Sequence, residues 1–240
     1  MSLRTREIPS GVLLFDDARC LAGIGWNAYR PWLYPLYTPA GRQVLQEFPF
    51  DHPFHNGCFV GQSPVLAGGR SSNFWDIFSN SGRVEVDSPE FPLLKCVWRD
   101  AKGEPVLNEE RVFKLELRER ETVCEVTSRK IAAYAELDFP ASKFGGIGVR
   151  VDPQLLPVAG ARIIGKHEER SSFVAYENDR FGLALICDGV HPWFVRDYGL
   201  ALYNPTWKSG LRLVKDETFE TRLKLVAYDG ELPSWIAASR

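Results

Sequence analysis

The chain has 240 residues, of which 45% are hydrophobic and 25% charged, and its formal net charge is −2. These values are ordinary for a globular protein with a sizeable core, and the near-neutral charge argues against a nucleic-acid or membrane-surface partner. The N-terminus carries Arg4, Arg6 and Glu7 with no apolar segment after them, and no stretch reaches the about 18 consecutive apolar residues of a membrane span.

The five cysteines are widely scattered and include no Cys-x-x-Cys pair. Such spacing indicates neither a disulfide framework nor a thiolate zinc site. We therefore expect a reduced, cytoplasmic protein, and its length favours a single domain over residues 1–240.

The predicted elements are almost all β-strands. Residues 11–15 and 20–26 read as an opening hairpin, and later Phe113, Leu115 and Leu117 alternate with charged residues, as in a half-buried antiparallel strand. Further strands are expected at residues 57–61, 83–86, 93–99, 123–130, 135–139, 147–151, 162–165, 172–176, 181–187 and 218–228. Since no segment of a dozen residues has helical periodicity, we predict an antiparallel two-sheet all-β fold with less than about a fifth helix.

Residues 29–53 depart from this pattern. They contain five prolines and four tyrosines or tryptophans. Proline removes a backbone donor and fixes φ, so the stretch predicts a long ordered loop rather than sheet interior or helix. Loops of this length in compact domains are usually functional.

The histidine loop, residues 50–58, overlaps the end of this stretch and reads Phe-Asp-His-Pro-Phe-His-Asn-Gly-Cys. His52 and His55 are two of only four histidines, and Asp51 lies beside them. Imidazole can transfer protons near neutral pH or bind a metal, so both chemistries stay open here. The alternative is a polar loop whose histidines merely cap backbone groups.

Several motifs occur in a recognisable order along the chain. Besides the histidine loop they are the segments 30–41, 73–75, 145–150 and 191–199, which begin with Arg30-Pro31, Asn73-Phe74-Trp75, Gly145-Gly146, and His191-Pro192-Trp193. Together they resemble the bacterial methane oxygenase A-like (PmoA) family. The resemblance spans most of the chain and implies a galactose-mutarotase-like supersandwich that binds sugars on one sheet face.

The resemblance and the residue chemistry together give the candidate site. The catalytic candidates are His52, His55 and Asp197, and the substrate-binding candidates are Arg30, Asp51, Asn73, Trp75, Arg150, Glu168, His191 and Arg196. Trp32, Trp75 and Trp193 are the tryptophans expected to line the pocket. In an extended strand Arg196 and Asp197 point apart, so only one of them can reach it.

Three functions are compatible with these residues. The favoured one is acid–base chemistry by a histidine and a carboxylate on a sugar or sugar derivative, and the first alternative is a carbohydrate-binding or sensing module without catalysis. The second alternative is a mononuclear metal enzyme using Asp51, His52 and His55. Tyr34 and Phe54 stand where the family pattern has histidine, which counts against a metal, so we expect no cofactor and a small carbohydrate ligand.

Overall fold

The computed structural model describes residues 3–78 and 80–238, and antiparallel β-strands form most of it. Helix in this part of the chain is confined to two 3-10 turns and the four-residue helix α1 (Ser234–Ala237), and none of it is long and apolar enough to cross a bilayer. The all-β prediction is therefore confirmed. The strands are β1 (Arg4–Ile8), β2 (Gly11–Asp16), β3 (Arg19–Trp26), β4 (Pro31–Leu36), β5 (Cys58–Gln62), β6 (Val65–Ala67), β7 (Arg70–Ser72), β8 (Arg83–Glu90), β9 (Leu93–Arg99), β10 (Pro105–Leu117), β11 (Glu121–Ile131), β12 (Leu137–Phe139), β13 (Gly145–Arg150), β14 (Arg162–Ile164), β15 (Arg170–Glu177), β16 (Phe181–Val195), β17 (Leu200–Tyr203), β18 (Leu211–Leu213) and β19 (Thr218–Asp229).

Two antiparallel layers share strand β16. The first runs in the order β1-β2-β3-β4-β5-β13-β17-β16, the second in the order β16-β19-β11-β10-β9-β8, and a small sheet β18-β12-β6-β7 lies apart. Residues 181–187 of β16 pair with β19, whereas residues 193–195 pair with β17. Gly189 between them has a φ of 75°, which glycine adopts without strain. The strand predicted to end at residue 187 thus continues into the other layer.

The core lies between the two layers. Leu33 and Ile147 of the first layer belong to the same buried cluster as Phe113 and Leu225 of the second. The alternation predicted for residues 113–117 is confirmed at its start, where Phe113 is buried and the next residue is exposed. This packing leaves the other face of the first layer available for a second, smaller aromatic cluster.

The predicted loop over residues 29–53 is wrong in its first part, because β4 pairs there with β3 and β5. Two features let a proline-rich segment join a sheet. Pro31 is the first residue of the strand, where a missing donor is tolerated. Pro35 lies beyond the residues paired with β5 and opposite Gly23, where a side chain would come within 2.8 Å of the proline ring.

A buried ion pair connects the second layer to β4. The Arg111 guanidinium donates to both oxygens of Glu109 at 3.0 and 2.8 Å and to the Pro31 carbonyl oxygen at 2.8 Å. Glu109 also accepts from Trp98 Nε1 at 2.8 Å and from Ser128 Oγ at 2.6 Å. Burial raises the pKa of the Glu109 carboxyl, but Arg111 and the other donors outweigh it and lower that pKa to about 2. The charge pair is therefore fully formed at neutral pH.

We predict that Arg111→Met lowers the free energy of unfolding by about 3–5 kcal/mol, because it leaves the Glu109 carboxylate buried without its cation. Urea denaturation at pH 7 measures the loss. Lys114→Met on the same strand is the control, since that side chain is 72% exposed and should cost less than about 1 kcal/mol. Equal losses in the two variants would contradict a role for the buried pair.

Candidate functional site

The histidine loop is folded by tight turns that hold it against β4. The His52 N–H donates to the Pro49 carbonyl oxygen at 3.1 Å, and the His55 N–H donates to the His52 carbonyl oxygen at 2.9 Å. Gly57 ends the loop with a φ of 50°, and a Cβ there would lie 2.0 Å from the Leu33 carbonyl oxygen. Only glycine fits so close to the neighbouring strand, and this fixes where β5 begins.

Asp51 is clamped between a histidine and an arginine. Its Oδ1 accepts from Arg150 Nη2 at 2.6 Å, and its Oδ2 accepts from Arg150 Nη1 at 3.2 Å and contacts His52 Nδ1 at 2.7 Å. Partial burial raises the pKa of the Asp51 carboxyl, but the bonds to His52 and Arg150 outweigh it and bring that pKa below its usual range. An ionised Asp51 can only accept a hydrogen bond. The tautomer of His52 that carries the proton on Nδ1 is therefore favoured, and Nε2 keeps its lone pair.

Aromatic rings surround His55. Its ring is parallel to His52 at 5.0 Å and nearly parallel to Phe59 at 4.8 Å, while the rings of Trp75 and Phe54 meet it edge-on at 4.9 and 4.6 Å. The His55 side chain is 1% exposed, and neither ring nitrogen has a hydrogen-bond partner among the described residues.

The burial of His55 decides its protonation state. Desolvation, with the positive charges of Arg30, His52 and Arg150 adding to it, lowers the pKa of His55 to about 2. His55 is therefore neutral at physiological pH. Of the two histidines in the loop, His52 alone has an exposed ring, with 39% of its side chain accessible.

Arg30 is a buried cation beneath this stack. Its guanidinium lies 5.6 Å from the Phe59 ring centre, Nη2 donates to the Trp75 carbonyl oxygen at 3.0 Å, and Nη1 has no partner in the described part of the chain. Burial, with Arg111 nearby, lowers the pKa of Arg30 to about 10, so it still carries its charge at neutral pH. Segments distant in sequence therefore meet at one place.

Asn73 positions Trp75 and makes no contact with the histidines. Its Oδ1 accepts from the Trp75 N–H at 2.9 Å and its Nδ2 donates to Asp76 Oδ1 at 2.7 Å. Both ends of the amide are thus used within the turn that holds the tryptophan. Asn73 therefore positions Trp75, and its expected contact with a ligand stays a prediction.

The same sheet face continues from the histidine stack toward β16. Tyr198 is nearly parallel to the His52 ring at 6.2 Å and lies 5.3 Å from the Arg150 guanidinium. Further along, Arg196 lies 4.2 Å above the Phe194 ring, and His167 meets Phe194 edge-on at 4.9 Å. Phe59, Trp75, Phe194 and Trp207 belong to one buried cluster, so the packing is continuous along this side of the first layer, which we call the aromatic face.

For three predicted site residues, the described part of the chain shows no hydrogen bond, ion pair or ring contact with His52 or His55. Asp197 is exposed in the turn after β16, and in the described ranges its carboxylate makes no hydrogen bond or ion pair. Glu168 pairs with Lys208 at 3.1 Å and His167 at 3.7 Å. His191 packs edge-on against Tyr203 at 5.2 Å, beside Trp193. β16 ends at Val195, so Arg196 and Asp197 do not lie in the strand, and the alternation expected for them does not apply.

The expected role of Trp193 is wrong, because this side chain is fully buried in the core between the layers. Its neighbour Phe194 faces the aromatic cluster instead. Alternation along a strand places neighbouring side chains on opposite faces of the sheet, but it does not determine which of the two faces the core. Sequence reasoning also missed Phe59, Tyr198 and Trp207. Their aromatic character was the only feature that pointed to them, and the chain has many other aromatic residues.

A family model matches residues 23–239 and describes a family of unknown function, DUF6807. The chain belongs to the DUF6807 family. These comparisons give no support to the methane oxygenase A-like resemblance. Comparison with curated proteins finds no match.

Several solved structures resemble the DUF6807 chain at low identity. A putative aldose 1-epimerase from Escherichia coli K12 is 12% identical with a TM-score of 0.48, covering 95% of this chain and 99% of that one. A polysaccharide lyase is 15% identical with a TM-score of 0.45, covering 95% and 32%, and a mutant of the heparan sulfate lyase HepC from Pedobacter heparinus is 9% identical with a TM-score of 0.41, covering 96% and 35%. The chain spans about a third of the length of each lyase. Identities this low carry no information about the activity of the DUF6807 chain.

The geometry does not favour the metal alternative. The His52 and His55 rings are parallel within 1°, so their in-plane lone pairs cannot converge on one ion, and Nδ1 of His52 is already bonded to Asp51. Across residues 3–78 and 80–238 of the DUF6807 chain, no group of three histidine, cysteine or carboxylate side chains is arranged to hold a metal ion.

We predict that His55 makes the stability of the DUF6807 chain depend on pH below 6.5. The unfolded chain binds a proton at His55 below its ordinary pKa of 6.5, whereas the folded chain does not until about pH 2. Unfolding is therefore favoured as the pH falls, by about 1.4 kcal/mol per pH unit from this residue alone.

The matched variant is His55→Phe, which keeps a ring in the stack and cannot be protonated. Urea denaturation at pH 7, 6 and 5 should show a shallower loss of stability for the variant than for the wild type. Parallel pH profiles would mean that His55 titrates normally in the folded chain.

Proposed function

We propose that the DUF6807 chain binds a carbohydrate on the aromatic face of its first layer and that His52 transfers protons to and from the bound sugar. The observation that carries this proposal is the bond of 2.7 Å between Asp51 and His52 next to the partly exposed ring of Tyr198. An oriented, half-exposed imidazole beside ring faces suits chemistry on a ligand with many hydroxyls.

The surface offers both kinds of contact that a sugar needs. Tyr198 and Phe144 are 38% and 43% exposed, and Phe144 lies 5.8 Å from Trp75, so ring faces are accessible around the histidine stack. Apolar C–H faces of sugars pack on such rings, while the half-exposed imidazole of His52 supplies a hydrogen-bonding group for sugar hydroxyls. This combination supports a small carbohydrate as the ligand.

Each residue of the site has a separate role in the proposed proton transfer. Nε2 of His52 removes a proton from the sugar and later returns it, and the ionised Asp51 holds the ring and stabilises the imidazolium between the two steps. Arg150 keeps Asp51 ionised and in place through two hydrogen bonds. His55, neutral and buried, packs behind His52 rather than exchanging protons.

We expect His52→Ala to reduce turnover by about 10²–10⁴-fold while leaving the fold intact, because the side chain is half-exposed in a loop. The measurement is a panel of neutral and acidic sugars incubated with enzyme in D₂O, with anomeric interconversion and deuterium uptake followed by NMR. Asp51→Asn should lower the rate as well, since an amide no longer favours the Nδ1–H tautomer.

His55→Ala is the contrasting variant. Removing a fully buried ring should lower the free energy of unfolding by on the order of 3 kcal/mol. If His52→Ala retains the wild-type rate on every sugar that reacts, the proton-transfer role is refuted.

A non-catalytic binding module is the second candidate. It is favoured by the engagement of Asp51 with both Arg150 and His52, which leaves no second free carboxylate in contact with the histidines in the described ranges. In that case His52→Ala and wild type would bind a sugar equally with no chemical change, whereas Trp75→Ala would weaken binding.

A further inference from the structure

A cationic rim borders the aromatic face. We use this name for Lys143, Arg196 and Lys208. Each cation lies over an aromatic ring: Arg196 is 4.2 Å from the Phe194 ring centre, Lys208 is 4.2 Å from Trp207, and Lys143 is 5.0 Å from Phe144. The three residues come from different parts of the chain, so the fold assembles the rim.

The rim is connected to the histidine stack by continuous contacts. His52 stacks on Tyr198, which is two residues from Arg196, and on the other side His55 contacts Trp75, which contacts Phe144 next to Lys143. His167 packs on both Phe194 and Trp207, so it connects the ring under Arg196 to the ring under Lys208. A ligand on this face can therefore contact both His52 and the rim.

The rim contains more positively charged side chains than carboxylates paired with them. Lys208 pairs with Glu168 at 3.1 Å, but Arg196 and Lys143 form no ion pair within the part of the chain that the structure describes. Burial lowers the pKa of His167, and the positive charges of Arg196, Lys208 and Lys143 add to this effect against the opposing Glu168. The field at this position is therefore positive.

We propose that the cationic rim is a subsite for the negatively charged group, a carboxylate or a sulfate, of an acidic sugar whose ring lies along the aromatic face. The proposal rests on the function proposed above and names its substrate class. Arg196 presents the planar donor pair that suits both anions, and Lys208 and Lys143 add point charges on either side.

The local character of the charge favours a sugar anion over a nucleic acid. The chain as a whole carries a formal net charge of −2, so it has no general excess of basic side chains. Nucleic-acid sites need basic side chains spread along the path of the phosphates. A single anion beside a ring face matches the rim more closely.

The test compares polymers that differ only in charge. Polygalacturonate is paired with its fully methyl-esterified form, dextran sulfate is paired with dextran, and a single-stranded oligonucleotide serves as a polyanion without pyranose rings. Binding of the full chain is measured by affinity electrophoresis and calorimetry at low and high salt. We expect at least one acidic polymer to bind tenfold or more tightly than its neutral partner, and the two pairs distinguish carboxylate from sulfate.

Variants locate the binding. Arg196→Gln and Lys208→Gln should each weaken binding of the acidic polymer by fivefold or more and leave the melting temperature unchanged, since both side chains are partly exposed. Lys114→Gln, on β10 of the other layer, is the matched control and should bind like wild type. His52→Ala should keep the preference for the acidic polymer while losing turnover.

The outcomes separate this inference from the proposed function. Equal binding of charged and neutral partners, or acidic binding that both rim variants retain, overturns the subsite and leaves sugar binding standing. Oligonucleotide binding as tight as that of the acidic polymer also overturns it, because simple polyanion attraction then suffices. If no charged or neutral sugar binds, both proposals fail.

Discussion

The buried pair of Arg111 and Glu109 is the interaction on which the two layers depend. A charge in the core is tolerated only when its partners satisfy it, and here one carboxylate accepts from Arg111, Trp98 and Ser128. The remaining Arg111 donor reaches the Pro31 carbonyl oxygen on β4. The strand that carries the site is therefore fastened to the opposite layer by a bond next to Arg30.

Arg30 and Arg150 extend this arrangement into the site itself. Both guanidinium groups are buried beneath the histidine loop, and they contribute to keeping His55 neutral. Asp51 is the counter-charge that Arg150 requires, and the same carboxylate orients His52. Structure and chemistry are thus coupled: the ion pair that anchors the loop also leaves one imidazole exposed with a defined tautomer.

Cations occur in two different environments on the aromatic face. Near the histidine loop, the cations Arg30 and Arg150 are buried, whereas the rim cations Lys143, Arg196 and Lys208 are exposed or partly exposed. The rim therefore presents charge to a ligand, while Arg30 and Arg150 mainly hold protein groups in place.

The sequence by itself determined the class of fold and the motif around which the site forms. Alternation of apolar and charged residues fixed strands such as β10, and the absence of helical periodicity excluded a helical fold, because these periods follow from local geometry. What local pattern cannot give is the choice of face and the identity of distant neighbours. The tertiary structure alone decided that Phe194 and not Trp193 faces the site, that His55 is buried and neutral while His52 is exposed, and that a proline-rich segment forms β4. Each of these outcomes depends on contacts between residues far apart in the chain, as with Arg150 and Asp51, or Arg111 and Pro31, and no single stretch of sequence contains both partners.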